Sequence, residues 1–410
     1  DPFACLFFLS RRFSCKMDMI SHKAGHPAMI YMDYAASSPP YPEVAETVGE
    51  LMLKFYGNPS SLHAAGAEAE RLIRTAADVM AERLGADRKE IIFTSGGTES
   101  NNLAIFGTAL AHAGRGRHLV VSGIEHPSVY ECFRALEKRG FRVTWLDADE
   151  TGAVRPEDVE AALTDDTILV SLMAVNNETG RIQPIERVGE LLRERRKIVF
   201  HVDAVQAAGK LPLNPARLGI DLMSLSAHKF HGPKGAGVLY KRSGLAIEPI
   251  LRGGGQQGGY RSGTENTPAI VGMAKAFRIA TDRMRDEMPR LAAMRRSLLE
   301  TLAKDARIRV TDTPDGSGMA PHIAHFRIPG VKAEAMVHFL EREGFCVSSQ
   351  SACSSGEEKP SRVLLAMGLS EREAMSGIRV SIGPENTPEQ MAGLAEAVVR
   401  ILDQYGNVMG

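Results

Sequence analysis

The sequence has almost no excess of charge of either sign, because 49 Lys and Arg residues oppose 50 Asp and Glu, for a formal net charge of −1. A protein that binds nucleic acid or an anionic membrane surface typically carries a basic excess, so neither partner is predicted. The chain also lacks an apolar run near the roughly 18 residues that a transmembrane helix needs. We therefore expect no association with a membrane.

Cysteine is also scarce, with five residues among 410, at positions 5, 15, 132, 346 and 353. The odd number and the wide spacing argue against a disulfide framework, and the absence of any CxxC pair argues against a structural zinc site. The sequence thus predicts a protein of a reducing compartment, the cytoplasm, with no bound metal.

The first 28 residues differ in character from the rest of the chain. A short apolar run, Phe3–Leu9, comes before Arg11 and Arg12, whereas a secretory signal places its positive charge before the apolar run. Acidic residues in the stretch also disfavour a mitochondrial presequence. We expect residues 1–28 to be an atypical, disordered extension.

From residue 30 onward, apolar strand patterns alternate with amphipathic helix patterns, for example a strand at 118–122, a helix at 128–139 and a helix at 185–196. This alternation predicts an α/β fold with a mostly parallel sheet flanked by helices. A long helical pattern and mixed strands and helices follow, which predict a smaller α+β domain. We expect a large domain of residues 40–284 and a small domain formed by residues 29–39 and 285–410.

The most informative motif is Ser226-Ala227-His228-Lys229, which runs directly into a turn rich in Gly and Pro. Enzymes that use pyridoxal phosphate (PLP) need a lysine amine on a rigid turn, facing a pyridine ring whose nitrogen meets a carboxylate. Asp203 ends an upstream apolar run and could supply that carboxylate, with a helix N-cap as its alternative role. Gln206 would reach the phenolic oxygen of the ring.

Two further motifs follow predicted strands. The glycine-rich turn around Gly97 and Thr98 opens a helix, and the free N–H groups of such a turn favour a phosphate. It matches neither a GxGxxG nor a Walker A pattern, so a dinucleotide or a nucleoside triphosphate is disfavoured. His126 could stack on a flat ring and transfer protons. Both segments are also typical of ordinary capping turns, so both interpretations stay open.

Three residues are candidates for contact with a substrate. Asn177 could donate to a carboxylate or to the phenolic oxygen, and Arg379 could bind a carboxylate bidentately. Cys353 lies in a segment of small polar residues, where a thiol would be exposed as a nucleophile requires. The alternatives are an Asn-Gly turn, a surface salt bridge and an incidental loop cysteine.

Taken together, the motifs resemble those of the class V, fold-type I PLP enzymes, and specifically the cysteine desulfurases with a Ser-Ala-Cys loop. The resemblance covers nearly everything from residue 30 to the C-terminus. It rests on nine motifs in the correct order, at residues 33–36, 57–63, 94–102, 125–127, 176–180, 201–203, 226–229, 261–266 and 351–356.

The resemblance implies a role for each candidate residue. The cofactor-binding residues that it implies are Gly97, Thr98, His126, Asp203, Gln206, Ser226, His228, Lys229 and Thr264. Thr264 would reach in from a partner subunit, which implies a homodimer. Asn177 and Arg379 would bind the substrate carboxylate, and Lys229, His126 and Cys353 would be catalytic.

The activity implied by the resemblance is conversion of L-cysteine to L-alanine. The sulfur would be held as a persulfide on Cys353 and passed to an acceptor protein, for iron–sulfur cluster assembly or for thiolation of tRNA or cofactors. A selenocysteine lyase could dispense with the thiol, and a class V aminotransferase has no use for it. A non-catalytic scaffold has no chemical need for Lys229, Asp203 and Cys353 together. The charged stretch 356–360 departs from the family pattern and leaves the acceptor open.

Overall fold

A computed structural model describes residues 29–349 and 359–405 of the chain. Its strands are β1 (Ile30–Tyr31), β2 (Ile91–Thr94), β3 (His118–Ser122), β4 (Arg142–Leu146), β5 (Thr167–Met173), β6 (Val199–Asp203), β7 (Leu222–Ser226), β8 (Gly237–Lys241), β9 (Arg309–Thr311), β10 (Ile323–Arg327), β11 (Phe345–Cys346) and β12 (Gly377–Ser381). Its helices are α1 (Pro42–Lys54), α2 (Ala64–Leu84), α3 (Gly97–His112), α4 (Pro127–Glu137), α5 (Pro156–Ala162), α6 (Ile185–Leu192), α7 (Thr267–Leu302), α8 (Ala333–Arg342), α9 (Arg362–Ala366), α10 (Glu371–Ala374) and α11 (Pro388–Tyr405).

A seven-stranded sheet with the order β2-β8-β7-β6-β5-β3-β4 forms the centre of the fold. The strands from β7 to β4 are mutually parallel, while β8 is antiparallel to both β7 and β2. Strand β5 is buried along its whole length, as expected for a parallel strand covered by helices on both faces. The predicted α/β fold with a mostly parallel sheet is confirmed. Because β2 runs in the same direction as β7, its carboxyl end lies at the same edge as those of the parallel strands.

Helices α4 and α6 correspond to two predicted helices, but three of their bounds differ from the prediction. Helix α4 ends at Glu137 rather than at residue 139, and the two other differences have local reasons. Helix α4 begins at Pro127 rather than Ser128, because the ring of His126 caps it by accepting a hydrogen bond from the Ser128 N–H. Helix α6 ends at Leu192 rather than at residue 196. The residues that follow, 193–197, are all charged, so they offer no apolar side chain that could pack on the sheet.

A second apolar core is formed mainly by residues from the last part of the chain. Strands β12, β10 and β9 make an antiparallel sheet, and β1 pairs in parallel with β11. Met32 packs in the same apolar cluster as residues of α7, α8 and α11. The clusters do not follow the predicted division strictly, because Ala35 and residues of α9 and α10 pack in the cluster of the large sheet. The division into 40–284 and 29–39 with 285–410 therefore stays a prediction. Helix α7 connects the two cores, since residues 270–280 pack in one cluster and residues 291–302 in the other.

No helix in the described part of the chain combines the length and the apolar composition that crossing a bilayer demands.

Acid is expected to destabilise the fold through buried histidines such as His201. Its ring nitrogens lie 2.8 Å from Ser171 Oγ and 3.1 Å from Ser224 Oγ, and burial lowers its pKa from 6.5 to about 3. Between these values the unfolded chain binds a proton that the native state does not. The free energy of unfolding therefore falls as the pH falls through this window, by roughly 1.4 kcal/mol per pH unit for this residue.

Urea unfolding at several pH values checks this expectation. We expect His201→Gln to reduce the slope of stability against pH between 6.5 and 3, relative to the native chain. His338→Gln is the matched control, because the His338 side chain is 74% exposed. An equal slope in the His201→Gln variant and the native chain would contradict the prediction.

Candidate active site

The carboxyl ends of the parallel strands surround a cavity of about 440 Å³. This is the edge of an α/β sheet at which ligands typically bind. The structure places ten of the sequence-predicted site residues on its wall, namely Gly97, Thr98, His126, Asn177, Asp203, Gln206, Ser226, His228, Lys229 and Arg379. Residues that lie far apart in the chain therefore meet in one site.

Lys229 ends a short 3-10 turn, Ala227–Lys229, that follows β7 directly. Its Nζ donates to the carbonyl oxygens of Ala35 and Ala36, at 2.6 and 2.8 Å. Lys210 stabilises this turn, because its Nζ donates to the Lys229 carbonyl at 2.6 Å. Burial, together with the positive charge of Lys229, lowers the pKa of Lys210 to about 7. The sequence did not indicate the roles of Ala35, Ala36 or Lys210.

Asp203 is the last residue of β6, and its side chain is buried. One carboxylate oxygen accepts from the Val205 N–H at 2.9 Å, and the other accepts from Asn101 Nδ2 at 2.8 Å. Burial raises the pKa of Asp203, and these hydrogen bonds together with the charge on Lys229 oppose the rise. A desolvated carboxylate of this kind is suited to pairing with a cationic ring nitrogen.

His126 lies between β3 and α4 and forms part of the cavity wall. Its Nδ1 accepts from the Ser128 N–H at 3.1 Å. Burial, reinforced by the charges of Lys229 and Arg362, lowers the pKa of His126 to about 4, so the ring is neutral at physiological pH. Arg362 holds this segment by donating to the carbonyls of Gly123 and Glu125. Sequence reasoning missed Arg362, since nothing local to it indicates a site.

The first turn of α3 presents a surface suited to an anion. No side chain caps this helix end at Gly96, whose φ of 152° and ψ of −177° are open essentially only to glycine. A Cβ on Gly97 would lie 2.7 Å from Val205 Cγ2, so the bare backbone keeps this part of the wall open. Uncapped N–H groups and the helix dipole favour a phosphate here. Ser226 and His228 lie on the same wall, and His228 Nδ1 is 3.3 Å from Ser37 Oγ.

Arg379 and Asn177 form another part of the wall. The Arg379 side chain is 1% exposed, and it donates to the Asn177 carbonyl at 2.9 Å and to Asp33 Oδ1 at 2.8 Å. Its Nε has no hydrogen-bond partner among the described residues. A buried guanidinium beside a cavity is suited to a carboxylate of a small substrate.

Thr264 and Cys353 are the two predicted site residues that are not among those on the cavity wall, for different reasons: one is described elsewhere, and the other is not described. Thr264 is exposed and lies outside the cavity wall, so in a single chain it does not join the other site residues. Cys353 lies outside the described residues. The described residues that precede Cys353 in the chain contact the site, because Ser348 and Arg379 exchange two backbone hydrogen bonds of 3.1 and 2.7 Å. Among the described residues that follow Cys353 in the chain, Ser361 donates from its Oγ to the Glu178 carboxylate at 2.5 Å.

The wall of the cavity fits PLP in its chemistry. It offers an uncapped helix N-terminus for a phosphate, a buried carboxylate for a ring nitrogen, an imidazole and a lysine amine. Gln206 provides an independent sign of a bound polar group. Its Nε2 donates to the Ala35 carbonyl at 2.9 Å, while its buried Oε1 has no partner in the described part of the chain. A buried polar atom of this kind is costly unless a ligand or water satisfies it.

Comparison with known proteins gives consistent similarities. The family of class-V aminotransferases matches residues 30–394. A NifS/IcsS protein homolog of Lactobacillus delbrueckii subsp. bulgaricus is 42% identical over 381 residues, which cover 93% of this chain and 99% of that protein. The cysteine desulfurase IscS of Clostridium botulinum is 40% identical over 376 residues, covering 92% and 94%.

Solved structures agree with the sequence matches. The structure of a NifS-like protein superposes with a TM-score of 0.86 at 35% identity, covering 92% of this chain and 100% of that one. The structure of SspA in complex with cysteine gives a TM-score of 0.76 at 35% identity, covering 87% and 99%. The whole length of each of these proteins is thus matched, with no large part of either left over.

Proposed function

The chain belongs to the class-V aminotransferase family and, within it, to the cysteine desulfurases, and on this premise we propose that it uses PLP to move sulfur from L-cysteine to Cys353. The observation that carries the proposal is the meeting of Lys229, Asp203, His126 and Arg379 around one cavity. The order of the motifs along the chain supports the same function independently.

Different residues of the site would bind different parts of the cofactor. The N–H groups at Gly97 and Thr98, with Ser226 and His228, would hold the phosphate. Asp203 would pair with the ring nitrogen, Gln206 with the phenolic oxygen, and His126 would stack on the ring. Lys229 would attach the cofactor covalently. When bound, PLP supplies an electron sink that stabilises negative charge at the substrate Cα.

Side chains of the protein would bind the substrate, remove the Cα proton and accept the sulfur. The Arg379 guanidinium and Asn177 would bind the substrate carboxylate and so fix the direction of the Cα–H bond. The Lys229 amine, once released, would take the Cα proton. The Cys353 thiolate would attack the substrate sulfur. His126 would assist in the transfer of the Cys353 thiol proton. Overall one sulfur atom leaves L-cysteine for the Cys353 thiol, so that L-alanine and a Cys353 persulfide result.

The persulfide would then pass to a sulfur-acceptor protein, either a cluster-assembly scaffold or a sulfur carrier. We also propose that the active form is a homodimer in which Thr264 completes the phosphate site of the partner. The exposure of Thr264 fits this role, and large apolar side chains such as Leu53, Tyr56 and Leu62 are exposed in the single chain. Exposed apolar surface is typical of an interface.

The product assay tests the function directly. We expect the native chain, supplied with PLP, L-cysteine and a thiol reductant, to release L-alanine and sulfide in equal amounts without any 2-oxo acid. An aminotransferase transfers the amino group of its amino-acid substrate to a 2-oxo acid. Turnover of L-cysteine that requires such an acid would therefore overturn the proposal. Release of alanine from selenocysteine but not from cysteine would instead identify a selenocysteine lyase.

A further inference from the structure

Asn101 lies in the second turn of α3, is 1% exposed, and has a role that the proposed function does not use. Its amide nitrogen Nδ2 lies 2.8 Å from Asp203 Oδ2 and 2.9 Å from Ser128 Oγ. An amide NH₂ group has two N–H bonds, so one can point at each oxygen. Asn101 therefore bridges the carboxylate at the end of β6 and the first turn of α4.

The directions of the hydrogen bonds in this group follow from what each atom can do. The Ser128 N–H can only donate, so His126 Nδ1, 3.1 Å away, must accept. Ser128 Oγ lies 2.8 Å from the same Nδ1, and it must therefore donate its own proton there. Its lone pairs remain to accept from Asn101. The proton of the neutral His126 ring is consequently on Nε2.

We propose that Asn101 and Ser128 are positioning residues that link Asp203 to His126 and hold the His126 ring as the tautomer protonated at Nε2. This inference rests on the proposed function only where Asp203 and His126 are assigned to the cofactor. It adds a constraint on the chemistry. Because both Ser128 donors occupy Nδ1, the group that His126 presents to a bound molecule is its Nε2–H, which can donate a hydrogen bond.

Several charged groups face His126 from the elements packed around it. Lys229 and Arg362 disfavour a positive ring, and Lys229 also acts on Asp203. Glu125, the preceding residue, is fully buried, and burial raises its pKa to about 8, which favours its neutral form. Substitutions at Asn101 and Ser128 leave all of these groups in place. A difference in the tautomer or the titration midpoint of His126 between variants would therefore result from the lost hydrogen bonds alone.

Nitrogen NMR of histidine-labelled holoenzyme measures the tautomer and the titration of His126, assigned by comparison with a His126→Gln spectrum. We expect the native ring to be protonated at Nε2. Ser128→Ala removes one donor to Nδ1, and Asn101→Ala frees the Ser128 hydroxyl to turn its proton away. Each should raise the pH midpoint of His126 by about one unit, which is a tenfold gain in proton affinity.

Two matched controls separate this role from general damage to the fold. Ser128→Thr keeps the hydroxyl and should retain the native midpoint. Asn102→Ala removes the neighbouring amide, which donates to the Thr98 carbonyl at 2.9 Å rather than to Asp203, and should also behave as native. Should Asn101→Ala fail to fold, the comparison of Ser128→Ala with Ser128→Thr still decides the matter.

Cofactor affinity gives a second readout, without turnover. Asn101→Ala leaves the buried Asp203 with one donor fewer and should weaken PLP binding about tenfold in equilibrium dialysis. Ser128→Ala keeps the Asn101–Asp203 bond and should bind PLP as the native chain does. A native ring protonated at Nδ1, or native titration in both alanine variants, would overturn the inference. Neither result depends on alanine release, so a failure of the proposed function would be seen separately.

Discussion

Replacing Lys229 by alanine is expected to lower the rate of alanine release from L-cysteine by a factor on the order of 10⁴ or more. The substitution removes both the amine that would attach the cofactor and the base that would take the Cα proton, and no other group of the described site replaces either function. Only Lys234 among the other lysines lies on the cavity wall in the described chain. Steady-state assays with saturating PLP measure the loss.

A second variant keeps this test independent of folding. Lys229 Nζ donates to the carbonyls of Ala35 and Ala36, and Lys229→Gln retains an N–H donor for them. It should fold like the native chain and still be inactive. Lys54→Ala is the control, since Lys54 is an exposed residue of α1 that pairs with Glu50. If either Lys229 variant kept a tenth of the native rate, the assigned role would be wrong.

Replacing Cys353 by alanine is expected to reduce alanine release from L-cysteine by a factor on the order of 10³. The visible absorption of the bound cofactor should remain, because the thiol is not assigned to cofactor binding. Without the thiolate, the substrate sulfur loses the acceptor that the proposed function assigns to it. Mass spectrometry of the native chain, incubated with L-cysteine without reductant, should show one added sulfur atom on Cys353 and none on the variant.

The two cysteines that the structure describes provide the controls. Burial raises the pKa of the Cys132 thiol to about 12 and raises that of Cys346, so neither is a ready thiolate at neutral pH. We expect Cys132→Ala and Cys346→Ala to retain the native activity towards L-cysteine. Equal activity of Cys353→Ala and the native chain would remove Cys353 as the nucleophile and favour a lyase or an aminotransferase.

The parts of the site that the sequence predicted best are those that follow strands directly. Asp203 closes β6, and Lys229 comes three residues after β7 ends. Strand ends can be located from a short apolar run and its bounding turn, and parallel strands bring their carboxyl ends to one edge. The placement of these residues at one cavity was thus a consequence of local patterns combined with a single rule of topology.

The contacts that hold the site together could not be predicted in this way. The pairing of Arg379 with Asp33, and of Lys229 with the carbonyls of Ala35 and Ala36, joins segments far apart in the chain. Nothing in the local sequence of α3 singles out Asn101. Its bridge from Asp203 to Ser128 depends on how α3, α4 and β6 pack against one another.

The sequence by itself determined the α/β class, the strands that carry the site, and the residue types suited to PLP and a sulfur nucleophile. These depend on periodicity, turn residues and motif order, which are local properties of a chain. Only the tertiary structure decided the strand order with its antiparallel β8, the burial that shifts the pKa values of His126 and Asp203, and the hydrogen-bond partners of each side chain. The physical reason is that desolvation and hydrogen-bond geometry are set by neighbours from distant segments, which a linear pattern does not specify.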